Sequence, residues 1–312
     1  MKLFLETFIA LSPLYAFIFT GVLLKRTGVI TDTLIPALNR IVFRAFLPIT
    51  LFLNVYEAEL DFGNSIGVIA YSVGAFMLLF GVLALVVPHF IKDKPRAATT
   101  VQGMFRSNFV LLGIVYARQL FGADRMGETG LLIAVIVPLF NVLAVLTFAL
   151  LTGEKQRPAE VLLKIVKNPL IVAAVTGLFV RAVGIELPSL LLNPLSTLGD
   201  VATPFAMVVI GSSLTLAGFR RDGLLIGVLS FVRLIVVPAV FVTGAALLGF
   251  REVILVALLT AFGGPCAVSS PAMAYQLGGD GELAGEFVAA TTLFSLPTMY
   301  LFIVLLRALG LC

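Results

Sequence analysis

The chain is poor in tryptophan, histidine, cysteine and charge. Its 312 residues include no tryptophan, one histidine and two cysteines, and only 12% are charged, against roughly 25% in soluble domains. Two cysteines, Cys266 and Cys312, are too few for a disulfide framework, so we expect free thiols. The one histidine, His89, has no second histidine and no cysteine pair near it in the sequence. We therefore expect no metal site and no bound cofactor.

Long apolar runs dominate the sequence instead. Hydrophobic residues make up 60% of the chain, and the mean hydropathy is +1.12. Runs of about 20 residues, the length that spans a bilayer core, recur from end to end. They lack the short alternating segments of a membrane barrel. The sequence predicts an all-α polytopic membrane protein, and its basic residues lie in short loops, which does not indicate a nucleic-acid partner.

The apolar runs predict ten transmembrane helices. The first run is too long for a signal peptide and lacks a cleavage site, so we expect it to be retained. A charged stretch divides the chain into residues 1–153, with helices 1–5, and residues 154–312, with helices 6–10. The predicted helices cover about 3–24, 33–55, 64–91, 98–121, 128–152, 161–183, 194–217, 223–249, 252–277 and 285–309.

The second half repeats the first. At an offset of 156 residues, identical residues include Pro13 with Pro169, Gly21 with Gly177, and Pro48 with Pro204; later the offset becomes 157. Because each half holds five helices, the second half enters the membrane from the opposite side. Such inverted repeats are a hallmark of secondary transporters, which bind substrate at the repeat interface near the midplane.

Loop charges predict the orientation. The loops after the first, third, fifth and seventh predicted helices are rich in lysine and arginine, whereas the loop at 57–61 is acidic. The basic side is expected to be cytoplasmic. We therefore expect an integral protein of a bacterial inner membrane with both termini outside.

The ninth predicted helix contains "AFGGPCAVSSPAMAYQLGG" (261–279), which a stable membrane helix would avoid. Pro265 and Pro271 lack backbone donors, and Ser269 and Ser270 lie between them. Freed backbone groups are tolerated only inside protein or beside a watery cavity. A proline kink is the alternative, but the cluster favours a true discontinuity.

The repeat partner of this stretch is residues 103–122 in the fourth predicted helix. It carries Arg106, Ser107, Asn108 and Gly113 at the matching depth. A polar centre therefore occurs once in each half. If both helices break there, two helix N-termini point at the midplane and favour an anion. A small organic anion is the predicted substrate.

Five motifs together resemble the auxin efflux carrier family, the bacterial relatives of plant PIN-type auxin carriers, over nearly the whole chain. The motifs are "LNRIVFRAFLP" (38–48), "NFVLLGIVYARQLFG" (108–122), "LGDVATPFAMVVIGSSL" (198–214), "SSPAMAYQLGG" (269–279) and "FSLP" (294–297). Asn108 falls on the family's substrate-site asparagine and Pro271 on its crossing proline. One departure is Val115, which stands where the family has a proline.

The resemblance implies a scaffold domain of helices 1, 2, 6 and 7 and a transport domain of helices 3–5 and 8–10. It also implies that helices 4 and 9 cross beside the substrate, an elevator-like motion, and a homodimer. Family members move organic anions, namely auxin in plants and carboxylates in bacteria. Val115 raises the question whether helix 4 breaks as helix 9 does.

Charged residues at membrane depth are functional candidates by default. Asp200 is the one acid well inside a predicted helix; it could couple protons or form a structural pair with an arginine. Arg106 could bind a substrate carboxylate as a planar fork or extend to the membrane surface. Arg40 and Arg44 could support the transport domain or extend likewise. Arg233 has no partner that the sequence reveals.

The leading interpretation is a secondary active transporter of small organic anions, which include carboxylates and auxin-like acids. The alternatives are a channel or uniporter driven by membrane potential and a non-transporting sensory protein; one histidine near a loop argues against an intramembrane enzyme. Proton coupling stays open. The predicted substrate-binding residues are Asn108, Arg106, Phe109, Gly113, Pro265, Ser269, Ser270, Pro271 and Asn141. The predicted coupling or support residues are Asp200, Asn39, Arg40 and Arg44.

Overall fold

The computed structural model describes residues 2–57, 66–122, 127–152, 167–214 and 216–312. Within these ranges every extended element is helical, and the β pairing consists of one bridge between Ser107 and Cys266. The all-α polytopic membrane class is confirmed. Among the described residues, six helices are long and apolar enough to cross a membrane: Ile35–Tyr56, Ile66–Phe90, Glu128–Leu151, Ser189–Ser213, Arg221–Leu247 and Gly281–Ala308.

Within the described residues, each predicted helix corresponds to one helix of the structure or to two shorter ones. Residues 64–65 of the third prediction, residues 161–166 of the sixth and the boundary at 153–154 lie outside the described residues. The fourth is divided into α4 and α5, and the ninth into α10 and α11. In chain order the helices are α1 Lys2–Arg26, α2 Ile35–Tyr56, α3 Ile66–Phe90, α4 Lys94–Phe105, α5 Phe109–Phe121, α6 Gly127–Leu151, α7 Pro169–Ala182, α8 Ser189–Ser213, α9 216–247, α10 Glu252–Gly263, α11 Ser270–Leu277 and α12 Gly281–Ala308.

Two of the long helices contain a π-helical turn directly before a proline. The turn in α2 is Val42–Phe46, followed by Pro48, and the turn in α9 is Val232–Val236, followed by Pro238. Proline cannot donate to the carbonyl four residues earlier and clashes with it. The wider turn relieves that clash and changes the direction of nearby side chains.

Two helix pairs meet at glycines, and the two contacts are related by the repeat offset. A Cβ atom on Gly21 of α1 would collide with the Val208 carbonyl oxygen of α8, and one on Gly177 of α7 would lie 2.8 Å from the Phe52 carbonyl oxygen of α2. Gly21 and Gly177 are 156 residues apart, as are Phe52 and Val208. The α1–α8 and α2–α7 contacts therefore use equivalent positions of the two halves.

The α1–α8 contact yields a stability prediction. A Cβ atom on Gly211 would collide with the Ile18 carbonyl oxygen, so Gly211→Ala must separate two backbones. We expect a loss of about 1–3 kcal/mol in the free energy of unfolding, measured by equilibrium unfolding in mixed micelles. The control is Gly81→Ala on α3, where no atom lies within 4 Å of the added carbon. Equal unfolding free energies for the two variants would refute the close contact.

Stacked phenylalanine rings fix the ends of the interrupted helices in the core. Phe262, in the last turn of α10, stacks on Phe76 with ring centroids 4.1 Å apart and on Phe241 at 4.8 Å. Phe105, the last residue of α4, packs against Phe80 and Phe140. The two points where the helices stop are therefore held by rigid aromatic neighbours.

Candidate functional site

The two interrupted helices meet at their breaks through main-chain hydrogen bonds. The Asn108 amide donates to the Pro265 carbonyl at 2.9 Å, and the Ala267 amide donates to the Arg106 carbonyl at 3.1 Å. These bonds flank the antiparallel bridge between Ser107 and Cys266. In a membrane interior each unpaired backbone group would cost several kcal/mol. Each break thus supplies the backbone partners that the other break needs.

The residues around the second break explain why the chain leaves the helix there. Pro265 has no backbone donor, and a Cβ atom on Gly264 would collide with the Thr260 carbonyl oxygen, so glycine is required. The Cys266 amide donates to Thr291 Oγ1 of α12 at 3.0 Å. The segment between α10 and α11 is therefore hydrogen-bonded to the first break on one side and to α12 on the other.

The first break forms without a proline. Helix α4 ends at Phe105, Arg106 and Asn108 flank the bridge, and α5 is helical from Phe109 through Val115. The valine in place of the family's proline therefore lies inside a regular helix, well after the break. Main-chain hydrogen bonds to residues 265–267 replace the helical hydrogen bonds that are lost at the first break.

Arg233 hydrogen-bonds to main-chain carbonyls at both breaks. Its side chain is fully buried on the π-helical turn of α9. Nη1 donates to the Met104 carbonyl at the end of α4, and Nη2 lies 3.5 Å from the Pro265 carbonyl oxygen. Helix C-termini attract cations because their last carbonyls carry partial negative charge. The guanidinium therefore lies where the C-termini of α4 and α10 converge.

A cavity of about 170 Å³ lies beside the paired breaks. Its walls come from both breaks and from the helices α2, α5, α6, α7 and α8. The lining residues are Leu47, Thr50, Leu51, Asn54, Arg106, Ser107, Asn108, Phe109, Val110, Val137, Phe140, Asn141, Leu170, Thr203, Ala267, Val268 and Ser269.

Arg106 supplies a buried cation to this cavity. Its side chain is 5% exposed, so it does not extend to the membrane surface. Nη2 donates to Asn141 Oδ1 at 2.8 Å, and Asn141 is held in turn by donating to the Val137 carbonyl at 2.8 Å. Nη1 of Arg106 and Oγ of Ser107 have no hydrogen-bond partner among the described residues. A buried polar group without a partner is costly, so both groups are positioned to bind a ligand.

Five of the nine predicted substrate-binding residues line the cavity: Arg106, Asn108, Phe109, Asn141 and Ser269. The structure brings these residues together from the two halves of the sequence. Asn108 lines the cavity, and its main-chain amide is used in the bridge. Ser269 lies at the N-terminal end of α11.

The other four predicted residues shape the site without lining the cavity. Gly113 leaves room for the Phe109 ring, which would lie 2.8 Å from an added Cβ atom. The Pro265 carbonyl accepts the Asn108 amide. Ser270 Oγ lies 3.4 Å from Cys266 Sγ, and Pro271 occupies the first turn of α11.

The predicted coupling and support residues lie outside the cavity. Asp200 is exposed on α8, and no ion pair joins it to an arginine in the ranges that the structure describes. A structural Asp200–arginine pair is therefore absent there, because Asp200 faces out of the helix bundle. Asn39 is buried and donates to the Ile35 carbonyl at 3.1 Å. Arg40 and Arg44 are exposed, and Arg44 borders a second cavity of about 800 Å³.

The sequence interpretation missed the face of α2 that closes the site. Leu47, Thr50, Leu51 and Asn54 all line the cavity. Their spacing of three, four and seven residues places them on one face of a helix, and two polar residues on that face were the available signal. It also missed Thr291 and the partners of Arg233, because these interactions involve main-chain groups distant in sequence.

The cysteines are free thiols, as expected, with Cys266 buried at the break. Among the described residues, no three or more histidine, cysteine or acidic side chains are grouped as a metal site requires. The cavity instead offers amide, hydroxyl and guanidinium groups, which suit an oxygen-rich anion.

Known proteins match this chain along much of its length. A family model described as "Membrane transport protein" matches residues 158–303. A protein of Rhizobium meliloti named a putative malonate transporter is 25% identical over 95% of this chain and 94% of its own length. An uncharacterized transporter of Methanocaldococcus jannaschii is 26% identical over 89% of this chain and 92% of its own. These similarities indicate a membrane transporter and not an enzyme, and they agree with the resemblance of the helix-break motifs to the auxin efflux carrier family.

Proposed function

We propose that the protein is a secondary transporter of small organic anions and that the cavity beside the paired breaks binds the substrate. The observation that carries this proposal is Nη1 of Arg106, which is buried at the cavity wall without a partner among the described residues. A carboxylate would supply the missing acceptor and neutralise the cation. Charge-assisted hydrogen bonds of this kind are among the strongest that proteins make.

The charges around the breaks favour a dianion. A helix terminus carries about half an elementary charge, positive at the N-terminus and negative at the C-terminus. Arg233 is balanced by the C-termini of α4 and α10, whereas Arg106 lies with the N-termini of α5 and α11. The cavity therefore carries about two positive charges. A dicarboxylate balances them, and the name of the Rhizobium relative, a putative malonate transporter, supports this class.

The size of the cavity favours a short acid. Pockets for drug-sized ligands measure roughly 300–1,000 Å³, whereas this cavity measures about 170 Å³. Phe109, Phe140 and Val137 form its apolar part. We therefore expect a dicarboxylate of a few carbons to bind better than an indole acid.

The positions of the cavity walls support alternating access of the elevator type. The helices α1, α2, α7 and α8 correspond to the scaffold that the family resemblance implies, and glycine contacts hold them in two tight pairs. The remaining helices correspond to the transport domain. Asn54 and Thr203 border the cavity from the scaffold side, and Arg106 and Asn141 from the other. Substrate bound between the two groups would move with the transport domain as it slides.

The equivalent glycine contacts also support two inverted five-helix repeats within ten transmembrane helices. A two-fold relation between the halves would bring the two breaks together, as transporters built from inverted repeats require. A homodimer in a bacterial inner membrane, with both termini outside, completes the proposal. Accessibility of single cysteines introduced at the exposed positions Thr33 and Leu309 in intact cells would test the orientation.

The direct test is transport by purified protein in proteoliposomes. Vesicles loaded with malonate should take up labelled malonate by counterflow, with saturation, and unlabelled propanoate or indole-3-acetate should compete weakly. Absence of counterflow for every carboxylate tested, with folded protein verified in the vesicles, would refute the anion transporter. Saturation separates a transporter from a channel, whose flux would rise in proportion to concentration and generate current.

Asn108 gives a more specific prediction. Asn108→Ala should weaken malonate binding about tenfold, because one hydrogen bond to a charged ligand is lost. The unfolding temperature should hardly change, because the bridge uses the Asn108 amide and not its side chain. Ligand-induced thermal shift measures both quantities. The control Asn193→Ala, at an exposed position of α8, should alter neither; unchanged affinity in Asn108→Ala would remove Asn108 from the site.

A further inference from the structure

Glu286 is a buried acid that the substrate site does not use. It is fully buried on α12, and neither carboxylate oxygen has a hydrogen-bond partner among the described residues. The sequence placed the start of this helix near residue 285. In the structure the Asp280 side chain caps the helix by accepting from the Leu283 amide at 2.9 Å. Glu286 therefore lies in the second turn and not at a solvated helix end.

Contacts of neighbouring residues show that Glu286 lies on the part of α12 that packs against α4 and α9. On the α4 side, the Asp280 amide donates to Thr99 Oγ1 at 2.9 Å, and the Phe287 ring would lie 2.7 Å from a Cβ atom on Gly103. On the α9 side, Glu282 lies 3.6 Å from Arg221. Glu286 is one helical turn beyond Glu282, so it faces the interior that the three helices enclose.

The nearby charges do not pair with Glu286. On α9 the groups near it are Asp222 and Arg221, and on α12 they are Glu282 and Asp280. Arg221 forms ion pairs with Asp222 at 2.8 Å and with Glu282 at 3.6 Å. On α4, Arg96 also pairs with Asp222.

The other helices that pack on α12 bring no cation to Glu286 within the described residues. Helix α1 presents Tyr15, whose hydroxyl donates to the Thr292 carbonyl at 2.9 Å. Helix α11 presents Tyr275 beside Gly281, and α8 presents Ser213 beside Gly285. The buried cation Arg233 of α9 donates to the Met104 and Pro265 carbonyls at the breaks. The surroundings of Glu286 are therefore predominantly acidic or neutral.

An ionised carboxylate in such a place would be severely destabilising, whereas a neutral carboxyl group is tolerated. We infer that Glu286 carries a proton in this conformation and is the proton-binding group of the transport cycle. The inference rests on the proposed anion transport. In each cycle the carboxylate binds one proton from one side of the membrane, forming an O–H bond, and releases it on the other side. The substrate dianion then crosses with part of its charge compensated.

Helix α12 links this proton site to the substrate site. Thr291 lies five residues beyond Glu286, about 7.5 Å along the helix axis, and its hydroxyl accepts the Cys266 amide at the break. Three buried side chains on α4 and α9 also lack hydrogen-bond partners in the described ranges, namely Thr100, Gln102 and Ser230. Hydroxyl and amide groups of this kind are the donors that an ionised carboxylate requires. Proton binding and the geometry of the break are thereby coupled.

Glu286→Gln keeps the shape of the protonated side chain and removes its titration. In malonate-loaded proteoliposomes the variant should retain counterflow, which needs no net proton movement. Its accumulation of malonate driven by a pH gradient should fall to that of protein-free vesicles. The control Glu282→Gln, one turn earlier at a partly exposed site, should retain both activities. Normal accumulation by Glu286→Gln would overturn the proton site, as would loss of counterflow in a variant with unchanged unfolding temperature.

Wild-type protein separates the two proposals. Absence of wild-type counterflow would refute the transport function itself, before any variant is compared. Counterflow without a response to a pH gradient, or accumulation driven only by sodium, would refute the proton site and leave anion transport standing. If Glu286→Gln does not fold, Glu286→Asp serves instead: it should keep gradient-driven accumulation with a displaced pH profile, and an unchanged profile would contradict the inference.

Discussion

Arg106→Gln should lower the affinity for malonate by about 100-fold and abolish counterflow at micromolar substrate. Glutamine can still bond to Asn141 but brings no charge, so the substrate loses its charge-assisted partner. The remaining positive charge comes from the N-termini of α5 and α11, which are weaker. Binding is measured by ligand-induced thermal shift, and transport by initial counterflow rate.

Two comparisons make this result specific. Arg106→Lys keeps the charge but cannot reach Asn141 and the substrate together, because a lysine has no planar fork; we expect intermediate affinity. Arg181→Gln, at an exposed position of α7, removes the same charge outside the cavity and should leave malonate binding unchanged. Equal affinity in wild type and Arg106→Gln would place the substrate elsewhere.

Arg233→Met should destabilise the fold by about 2–4 kcal/mol. The Met104 carbonyl would be left buried without its donor, at a cost of about 1–3 kcal/mol, and the C-termini of α4 and α10 would lose their compensating cation. Methionine fills similar volume, so a packing defect contributes little. Equilibrium unfolding in mixed micelles measures the loss.

The control for Arg233 is another arginine that donates to main-chain carbonyls. Arg251 bonds to the Ala246 carbonyl at 2.6 Å and to the Phe250 carbonyl at 2.8 Å, but at an exposed site. Arg251→Met should cost less than 1 kcal/mol, roughly, because water replaces the lost donor. A loss for Arg233→Met no larger than for Arg251→Met would mean that Arg233 does not brace the breaks.

The sequence predicted the helices and the polar breaks because both depend on local composition. Apolar length defines a membrane helix, and Pro265 and Pro271 disrupt one wherever they occur. Equivalent prolines and glycines in the two halves also indicated which segments correspond. The first break was less certain, since Val115 replaced the expected proline and the stabilising partners of Arg106 and Asn108 lie about 160 residues away.

The sequence could not reveal which charged residues face inward. Asp200 and Glu286 are both acids on apolar helices, yet Asp200 is exposed and Glu286 is fully buried. The difference depends on the rotation of α8 and α12 within the bundle and on a helix start four residues earlier than expected. The partners of Arg233 could not be predicted either, because they are main-chain carbonyl oxygens that every residue carries.

The bridge between the breaks has a consequence for how such transporters diverge. Main-chain atoms of residues 106–108 and 265–267 hold the two arms together, so the joint does not depend on the side chains of Ser107 or Asn108. Those two side chains can therefore be replaced without loss of the hydrogen bonds that join the two breaks. Single substitutions that line the cavity differently can therefore change the transported substrate while the main-chain joint stays the same. This makes the architecture a suitable starting point for engineering uptake of other acids.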